Sequence, residues 1–185
     1  MQFNLSQFNK IIIVGNSCSG KTTLCNKLGK QFGYPHFDLD DFHWLPNWVE
    51  REDDDMVAKV KSEILANKKW IVSGNYTSIL ENVTWPKADL IIWLQYGKWL
   101  CLWRCLKRSL QRSIYKEPCC NGNYESFKHS FLTWNSENLF FWIYAHHKAK
   151  TTKFKSWQQG KFANKKWLIF EKPSELKSTT FFKLA

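Results

Sequence analysis

The chain has 185 residues, of which 44% are hydrophobic and 23% are charged, and these proportions exclude a disordered polyelectrolyte. This length suits one domain with a sizeable core. The formal net charge of +11 is uneven, because residues 1–97 hold ten basic and eleven acidic residues whereas residues 98–185 hold seventeen and five.

Short β-rich segments alternate with helical patterns along the chain. The first strand is predicted over 11–14, and a helix over 21–32 follows it, with Gly33 as its stop signal. Further strands are predicted over 36–39, 70–73, 89–94 and 166–170. Further helices are predicted from 53 onwards, over 98–114, within 124–158, and after a cap at Ser174. This alternation predicts an α/β protein whose five-stranded parallel sheet carries helices on both faces.

A phosphate-binding motif follows the first predicted strand. The residues Gly15, Asn16, Ser17, Cys18, Ser19, Gly20, Lys21 and Thr22 match G-x-x-x-x-G-K-[ST], with Thr23 next in the helix. Backbone N–H groups of such a loop surround the phosphates of ATP, so that Lys21 would bridge the β- and γ-phosphates and Thr22 would bind Mg²⁺. We therefore predict a three-layer P-loop NTPase fold in which residues 1–185 form one domain. Residues 115–160 lack a predicted strand and are expected to form a helical lid or insertion.

Two carboxylates end the second predicted strand. Asp38 and Asp40 are two residues apart, so both side chains leave the strand on the same side, next to the P-loop. We predict that Asp38 serves the metal and that Asp40 orients or deprotonates an acceptor hydroxyl. The strands over 70–73 and 89–94 are followed or ended by uncharged residues, Ser73 and Gln95, where a second metal-side acid would be expected.

Arginine is concentrated in one helix. The chain has only four arginines, Arg51, Arg104, Arg108 and Arg112, and the last three recur every four residues on one helical face. Guanidinium groups make bidentate contacts to phosphoryl oxygens that lysine does not reproduce. We predict that Arg104, Arg108 and Arg112 close on the γ-phosphate; the alternative is a solvated basic face.

No targeting signal is evident. The first ten residues have no apolar core of a signal peptide, and no uninterrupted run of 18 apolar residues occurs. The six cysteines form no CxxC pair, which favours free thiols in a reducing compartment over a disulfide framework or a zinc site. We expect a cytoplasmic monomer or dimer with no membrane partner.

Together these segments resemble the small P-loop kinases related to adenylate kinase, and more closely the bacterial DNA topology modulation protein family. The resemblance spans most of residues 9–176. It implies a five-stranded sheet, ATP and Mg²⁺ as cofactors, and a lid; because that family commonly has acids at positions 73 and 95, it also implies slow turnover here. The residues that carry it are Gly15–Thr23, Leu39-Asp40, Trp44-x-x-x-Trp48, Trp70-Ile71-Val72-x-Gly74-Asn75-Tyr76, Trp99-Leu100-Cys101-Leu102-Trp103-Arg104 and Arg108.

Several functions remain open at this level. The first is transfer of the ATP γ-phosphoryl group to a small acceptor, for which a nucleoside monophosphate is one candidate. The second is a nucleic-acid-associated NTPase or regulator that affects DNA topology, which the basic half of the chain favours. A third is a nucleotide sensor with degraded catalysis. Acceptor contacts are predicted for Asp40, His43, Trp44, Trp48, Asn75 and Tyr76, where the rings would stack on a base or other ring.

Overall fold

The computed structural model describes residues 2–125 and 138–182. The strands are β1 (Gln2–Asn4), β2 (Lys10–Gly15), β3 (His36–Asp38), β4 (Trp44–Leu45), β5 (Val49–Glu50), β6 (Trp70–Ser73), β7 (Leu90–Leu94), β8 (Pro118–Cys119), β9 (Asn123–Tyr124), β10 (Lys166–Phe170) and β11 (Thr180–Phe182). The helices are α1 (Lys21–Phe32), α2 (Leu39–His43), α3 (Asp53–Lys59), α4 (Thr77–Leu80), α5 (Lys98–Tyr115), α6 (Leu139–Gln159) and α7 (Pro173–Lys177). A π-helical turn, Val60–Ile64, continues α3, and 3₁₀ turns occupy Pro46–Trp48 and Trp85–Lys87.

A five-stranded parallel sheet forms the centre of the molecule, in the order β10-β7-β2-β6-β3. The P-loop strand β2 lies in the middle, where Ile12 is opposite Val72 on one side and Ile91 on the other. Successive side chains of a strand point to opposite faces, so Ile11 and Ile13 enter one buried cluster while Ile12 and Val14 enter the other. The predicted five-stranded parallel sheet with helices on both faces is confirmed, and the P-loop joins its central strand β2 to α1.

Each face of the sheet has its own core. One cluster joins the sheet to α1 and α5, through residues such as Leu28 and Cys105. The other is rich in aromatic rings, and in it Trp85 lies 4.6 Å from Trp157 and 5.9 Å from Phe154, between ring centroids. Covering both faces explains why the central strands read as continuous apolar runs.

All five predicted strands of the main sheet occur, each within one residue of its predicted limits. Gly33 ends α1 in the left-handed conformation expected of a C-terminal glycine. The cap predicted at Ser174 is wrong: α7 begins at Pro173, whose missing N–H suits a first turn, and Glu175 accepts from the backbone N of Lys172 at 3.1 Å.

The segment 115–160 differs from its prediction because it contains two strands. β8 and β9 pair antiparallel around Cys120, Asn121 and Gly122, and we call residues 118–124 the asparagine hairpin. The helix predicted within 124–158 begins at Leu139, and residues 126–137 of the predicted lid lie outside the described residues. A second unpredicted feature is the parallel pairing of β1 with β11, which joins residues from the two ends of the chain.

Within residues 2–125 and 138–182, no helix has the length and apolar character needed to cross a membrane. All six cysteines are free thiols, as predicted.

Candidate active site

The P-loop turns sharply between β2 and α1. Gly15 has φ 152° and Gly20 has φ 98°, and a Cβ atom on Gly15 would lie 2.7 Å from the carbonyl oxygen of Leu94. A side chain at position 15 is therefore excluded by the neighbouring strand as well as by the backbone. Lys21 folds back over the loop, and its Nζ donates to the carbonyl of Asn16 at 3.1 Å. The loop and the first turn of α1 form a cradle of backbone N–H groups with a lysine at its mouth, which suits an anion.

The Asn75 amide fixes the start of this loop. Its Oδ1 accepts from Gly15 N at 3.3 Å, and its Nδ2 donates to Gly15 O at 2.9 Å. Both polar groups of the Gly15 backbone are thus satisfied by one side chain that follows β6 in the neighbouring part of the sheet. We predicted an acceptor contact for Asn75; the structure places its side chain on the P-loop.

We expect Asn75→Ala to destabilise the fold by about 1–3 kcal/mol, because it leaves two backbone groups at the P-loop without partners. Urea unfolding measures the loss, and a fluorescent ATP analogue should bind more weakly to the variant. The control is Asn164→Ala, on an exposed residue. Equal stability of the two variants would contradict a role for Asn75 in holding Gly15.

Thr22 and Asp38 meet at the edge of the P-loop. The Thr22 hydroxyl donates to Asp38 Oδ2 at 2.5 Å, and Asp38 Oδ1 also caps α2 by accepting from Asp40 N at 3.2 Å. Burial, and then the charge of Asp40, raises the pKa of the Asp38 carboxyl above its usual range. A cation would relieve this crowding of negative charge.

This pair fits a Mg²⁺ ion that shares its coordination with phosphates. Within the described part of the chain, no group of three or more His, Cys, Asp or Glu side chains could hold a metal alone. Mg²⁺ in nucleotide sites commonly takes only one or two protein oxygen ligands beside phosphate and water. The strand register sets Ser73 opposite Asp38, so the uncharged residue noted in the sequence lies next to the carboxylate that remains.

Asp40 is in the first turn of α2. Asp38 contacts both Asp40, through its backbone N, and Thr22 of the P-loop, through its hydroxyl. The Oδ1 of Asp40 accepts from the Tyr76 hydroxyl at 2.7 Å. Burial, and then the neighbouring Asp40 charge, raises the pKa of Tyr76, so this hydroxyl stays protonated and keeps donating. The contact fixes the orientation of the Asp40 carboxylate.

Four rings continue from Asp40 and are called the aromatic wall: His43, Trp44, Trp48 and Tyr76. His43 lies 4.7 Å from Tyr76 and 4.8 Å from Trp44, and Trp44 lies 5.4 Å from Trp48, between ring centroids. The structure therefore brings together all four aromatic or imidazole residues that the sequence suggested for acceptor contact.

The asparagine hairpin holds the far end of the aromatic wall. Asn123 Oδ1 accepts from Trp48 N at 3.0 Å, and the Trp48 indole donates to Tyr124 O at 3.2 Å. Asn121 donates from its backbone to Asp41 Oδ1 at 3.0 Å and from its side chain to Trp44 O at 3.2 Å. Sequence analysis missed these contacts, although Asn-Gly-Asn is a turn signal that could have placed a hairpin here.

The three arginines of α5 have separate partners. Arg104 donates to the P-loop carbonyl of Ser19 at 2.9 Å and lies over the Tyr96 ring, 5.2 Å from its centroid. Arg108 and Arg112 both pair with Glu125, whose side chain is only 9% exposed. Of these three, Arg104 alone bonds the phosphate loop, and a catalytic role for Arg108 or Arg112 remains a prediction.

Lys150 is a candidate site residue that the sequence patterns did not indicate. It lies on α6 in a partly buried position, between His147, whose Nε2 is 3.0 Å from Tyr96 O, and Lys153, whose Nζ donates to Thr77 Oγ1 at 2.8 Å. Burial, and then the positive charge of Lys21, lowers the pKa of Lys150 to about 8, while Asp40 opposes the shift. One lysine among 23 in the chain carries no sequence signal, so only the fold shows that its charge interacts with that of the P-loop lysine.

The thiol of Cys18, in the P-loop, contacts the thiol of Cys105, in α5. A hydrogen bond from Cys105 lowers the pKa of Cys18 to about 7, against an opposing effect of burial, and the charges of Arg108 and Lys21 act in the same direction as the hydrogen bond. Cys25, by contrast, is buried, and burial raises its pKa to about 12. The loop thus contains a thiol with a lowered pKa, whose thiolate fraction near neutral pH can report on the occupancy of the loop.

We expect iodoacetamide to label Cys18 with a rate that rises through about pH 7, because the thiolate is the reacting form. At pH 7 about half of Cys18 is thiolate, roughly 50-fold more than an ordinary thiol of pKa near 9. Peptide mass spectrometry resolves it from Cys25, and Mg²⁺·ATP should slow the labelling. A midpoint near pH 9, or no protection by ATP, would contradict the geometry.

The comparisons with known proteins come from sequence and from structure. No protein-family model matches the chain. The uncharacterized protein YqaC of Bacillus subtilis (strain 168) is 31% identical over 85 residues, which are 45% of this chain and 47% of that protein. The chain therefore matches about half the length of this curated relative.

Three solved structures illustrate the structural similarity. They are deoxyadenosine kinase from M. mycoides with bound dATP (13% identity, 88% of this chain and 90% of that chain, TM-score 0.46), the same kinase with the products dCMP and a flexible dCDP (15%, 88% and 89%, 0.46), and a gluconokinase from Sinorhizobium meliloti 1021 (14%, 91% and 84%, 0.43). At these identities the roles of the site residues rest on the geometry of this chain.

Proposed function

We propose that the protein is an ATP-dependent phosphotransferase that moves the γ-phosphoryl group of Mg²⁺·ATP to a hydroxyl of a small acceptor. The observation that carries this proposal is the position of Asp40. It lies two residues from Asp38, the carboxylate that contacts the P-loop threonine, and it bonds Tyr76 of the aromatic wall. The donor side of the site, which would bind ATP, and the acceptor side, formed by Asp40 and the aromatic wall, therefore meet at the Asp38–Asp40 pair.

The donor side binds and orients the triphosphate. The P-loop N–H groups and Lys21 hold the β- and γ-phosphates, and Arg104 supports the loop through Ser19 O. Thr22 and Asp38 would hold Mg²⁺, which when bound neutralises charge on the phosphate oxygens. Lys150 on α6 is a second cation, and the charge of Lys21 lowers its pKa. A triphosphate bound at the P-loop would offset this repulsion between the two ammonium groups.

The acceptor side binds the acceptor hydroxyl and takes up its proton. Asp40, oriented by the Tyr76 hydroxyl, accepts the proton of the acceptor hydroxyl as its oxygen bonds to Pγ. The bond from Pγ to the bridging oxygen breaks, and its electron pair leaves on ADP. Catalysis in this scheme is mostly positioning and charge stabilisation, in keeping with the few acids at the site.

The nucleic-acid alternative depends on net charge. In the basic half, Arg108 and Arg112 are half-buried and share the carboxylate of Glu125 instead of forming part of an exposed basic surface. We therefore do not advance DNA binding as a second function. The expectation of slow turnover, from Ser73 and Gln95, is kept, because Asp38 is left as the metal-side carboxylate.

The test is acceptor-dependent ADP formation by the full chain at saturating Mg²⁺, over a panel of nucleosides, nucleoside monophosphates and polyols. We expect at least one acceptor to raise ADP release well above the ATP-only rate. Lys21→Met serves as the inactive control. Tight ATP binding with no acceptor-dependent ADP from any compound would refute the phosphotransferase and leave the nucleotide sensor.

A further inference from the structure

The acceptor side of the site is aromatic and acidic. The aromatic wall presents ring faces and edges beyond Asp40, and Trp48 is 39% exposed, so a ligand ring can reach it. Two of its members have unusual backbone angles, because Trp48 has φ 58° and Tyr76 has φ 25°. Non-glycine residues keep such angles only where the surrounding structure holds them, and they concentrate at binding sites. Here the asparagine hairpin holds Trp48.

Three carboxylates surround this wall. Asp40 bonds the Tyr76 hydroxyl, Asp41 accepts from Asn121 N, and Glu50 Oε1 lies 3.8 Å from His43 Nε2. With Asp38 at the metal side, the negative charge is concentrated where an acceptor would bind. A phosphate dianion placed among these groups would be repelled by each of them.

Each of the four guanidinium groups already bonds an acceptor inside the protein, although Arg108 Nε has no partner among the described residues. Arg51 follows the wall and is the nearest in sequence, but its Nε donates to Phe42 O at 2.7 Å and its NH1 donates to Asp55 at 2.5 Å. Arg104 bonds Ser19 O, and Arg108 and Arg112 pair with Glu125. These four are all the arginines of the chain. Every one of them has an internal acceptor.

Two lysines of α6, Lys150 and Lys153, also have partners within the described residues. The Lys150 ammonium lies 5.3 Å from the centre of the Trp142 ring, and its charge interacts with those of Lys21 and Asp40. The Lys153 ammonium donates to Thr77 Oγ1 at 2.8 Å and lies 4.7 Å from the centre of the Trp157 ring, so its charge is held at the base of α4.

We infer that the acceptor is an uncharged hydroxyl compound with a planar ring, of the nucleoside class, and that it is not a nucleoside monophosphate. This inference rests on the proposed phosphotransfer and specifies its acceptor. The ring stacks on the aromatic wall, the hydroxyl donates to Asp40, and the surrounding carboxylates repel an acceptor that already carries phosphate. The hydroxyl oxygen bonds to Pγ, ADP leaves with the bridging oxygen, and the proton passes to Asp40.

Matched pairs test the inference with the full chain. Each nucleoside is compared with its own 5′-monophosphate, so that the ring and sugar are constant, and ADP release gives kcat/KM for both. We expect kcat/KM for the nucleoside to be at least about 10-fold higher, a difference that one or two repelling charges produce at a partly solvated site. Quenching of tryptophan fluorescence by the nucleoside, with weaker quenching by the monophosphate, gives a readout independent of turnover.

Two variants that each remove one carboxylate charge test the electrostatic basis of this preference. Glu50→Gln should reduce the preference for the nucleoside over its monophosphate several-fold by removing one repelling charge. Glu52→Gln, on an exposed residue that heads α3, is the matched control and should leave the preference unchanged. An unchanged preference in Glu50→Gln would remove the electrostatic basis of the inference.

The outcomes separate the inference from the proposed function. If a monophosphate is phosphorylated as well as or better than its nucleoside, the inference is wrong and phosphotransfer stands. If only an aliphatic polyol is phosphorylated, the ring requirement is wrong and phosphotransfer again stands. If ATP binds and no compound of the panel yields ADP, the proposed function fails and the inference fails with it.

Discussion

Asp40→Asn is expected to lower kcat for phosphoryl transfer by about 10²–10⁴-fold while ATP affinity changes little. The amide cannot take the proton of the acceptor hydroxyl, yet it keeps the size of the carboxylate and can still accept from the Tyr76 hydroxyl. Coupled ADP assays give kcat, and a fluorescent ATP analogue gives the dissociation constant.

Two further variants define the specificity of this effect. Tyr76→Phe removes the donor that orients Asp40 and should cost less, on the order of 10-fold, because the base itself remains. Asp54→Asn, on an exposed residue of α3, is the control for loss of one acidic charge and should have wild-type kcat. If Asp40→Asn retained wild-type kcat, Asp40 would not be the base.

Lys150→Met is expected to lower kcat by about 10²–10³-fold, the usual effect of removing one charged donor from a transition state. The methionine keeps the unbranched stem while deleting the ammonium, whose pKa the charge of Lys21 lowers. Because the developing charge is on the transferring group, kcat should fall more than ATP affinity. The measurement is kcat from ADP release, set beside the ATP dissociation constant.

Lys150→Arg keeps the charge and should recover part of the lost rate, which a purely structural role would not predict. Lys148→Met, on an exposed residue of the same helix, is the matched control and should be near wild type. A rate for Lys150→Met equal to that of Lys148→Met would show that the second cation is dispensable.

Most of the fold could be predicted from local sequence patterns. The strands β2, β6, β7 and β10 are short apolar runs that the sheet covers on both faces, so composition alone marks them. The small strands were missed for a physical reason. β4, β5, β8 and β9 have two residues each and depend on contacts made between distant segments, such as Asn123 with Leu45, rather than on any local propensity.

Some residues of the candidate site could likewise be predicted from local sequence patterns, whereas others depend on tertiary contacts. The P-loop and the Thr22–Asp38 pair follow from a motif and from strand ends, which are local features. The arginines of α5 were identified as a cluster, but their partners depend on Glu125, which arrives after the asparagine hairpin and has no sequence signature. Lys150 lies on α6, far from Lys21 along the chain, so the interaction of their charges depends on the tertiary fold.

The ribbon of β1 and β11 has a consequence for the nascent chain. Gln2 is opposite Thr180, and Phe3 packs 6.1 Å from Phe181, between ring centroids, while Gln31 of α1 donates to Phe181 O at 3.0 Å. A ribosome releases residue 2 long before residue 180, so β1 has no partner while the central sheet assembles. Closing so long a loop comes late in folding. Phe3 can stack on Phe8, 5.7 Å away between ring centroids, as soon as both have emerged, but its contact with Phe181 and the pairing of β1 form only after β11 has left the exit tunnel.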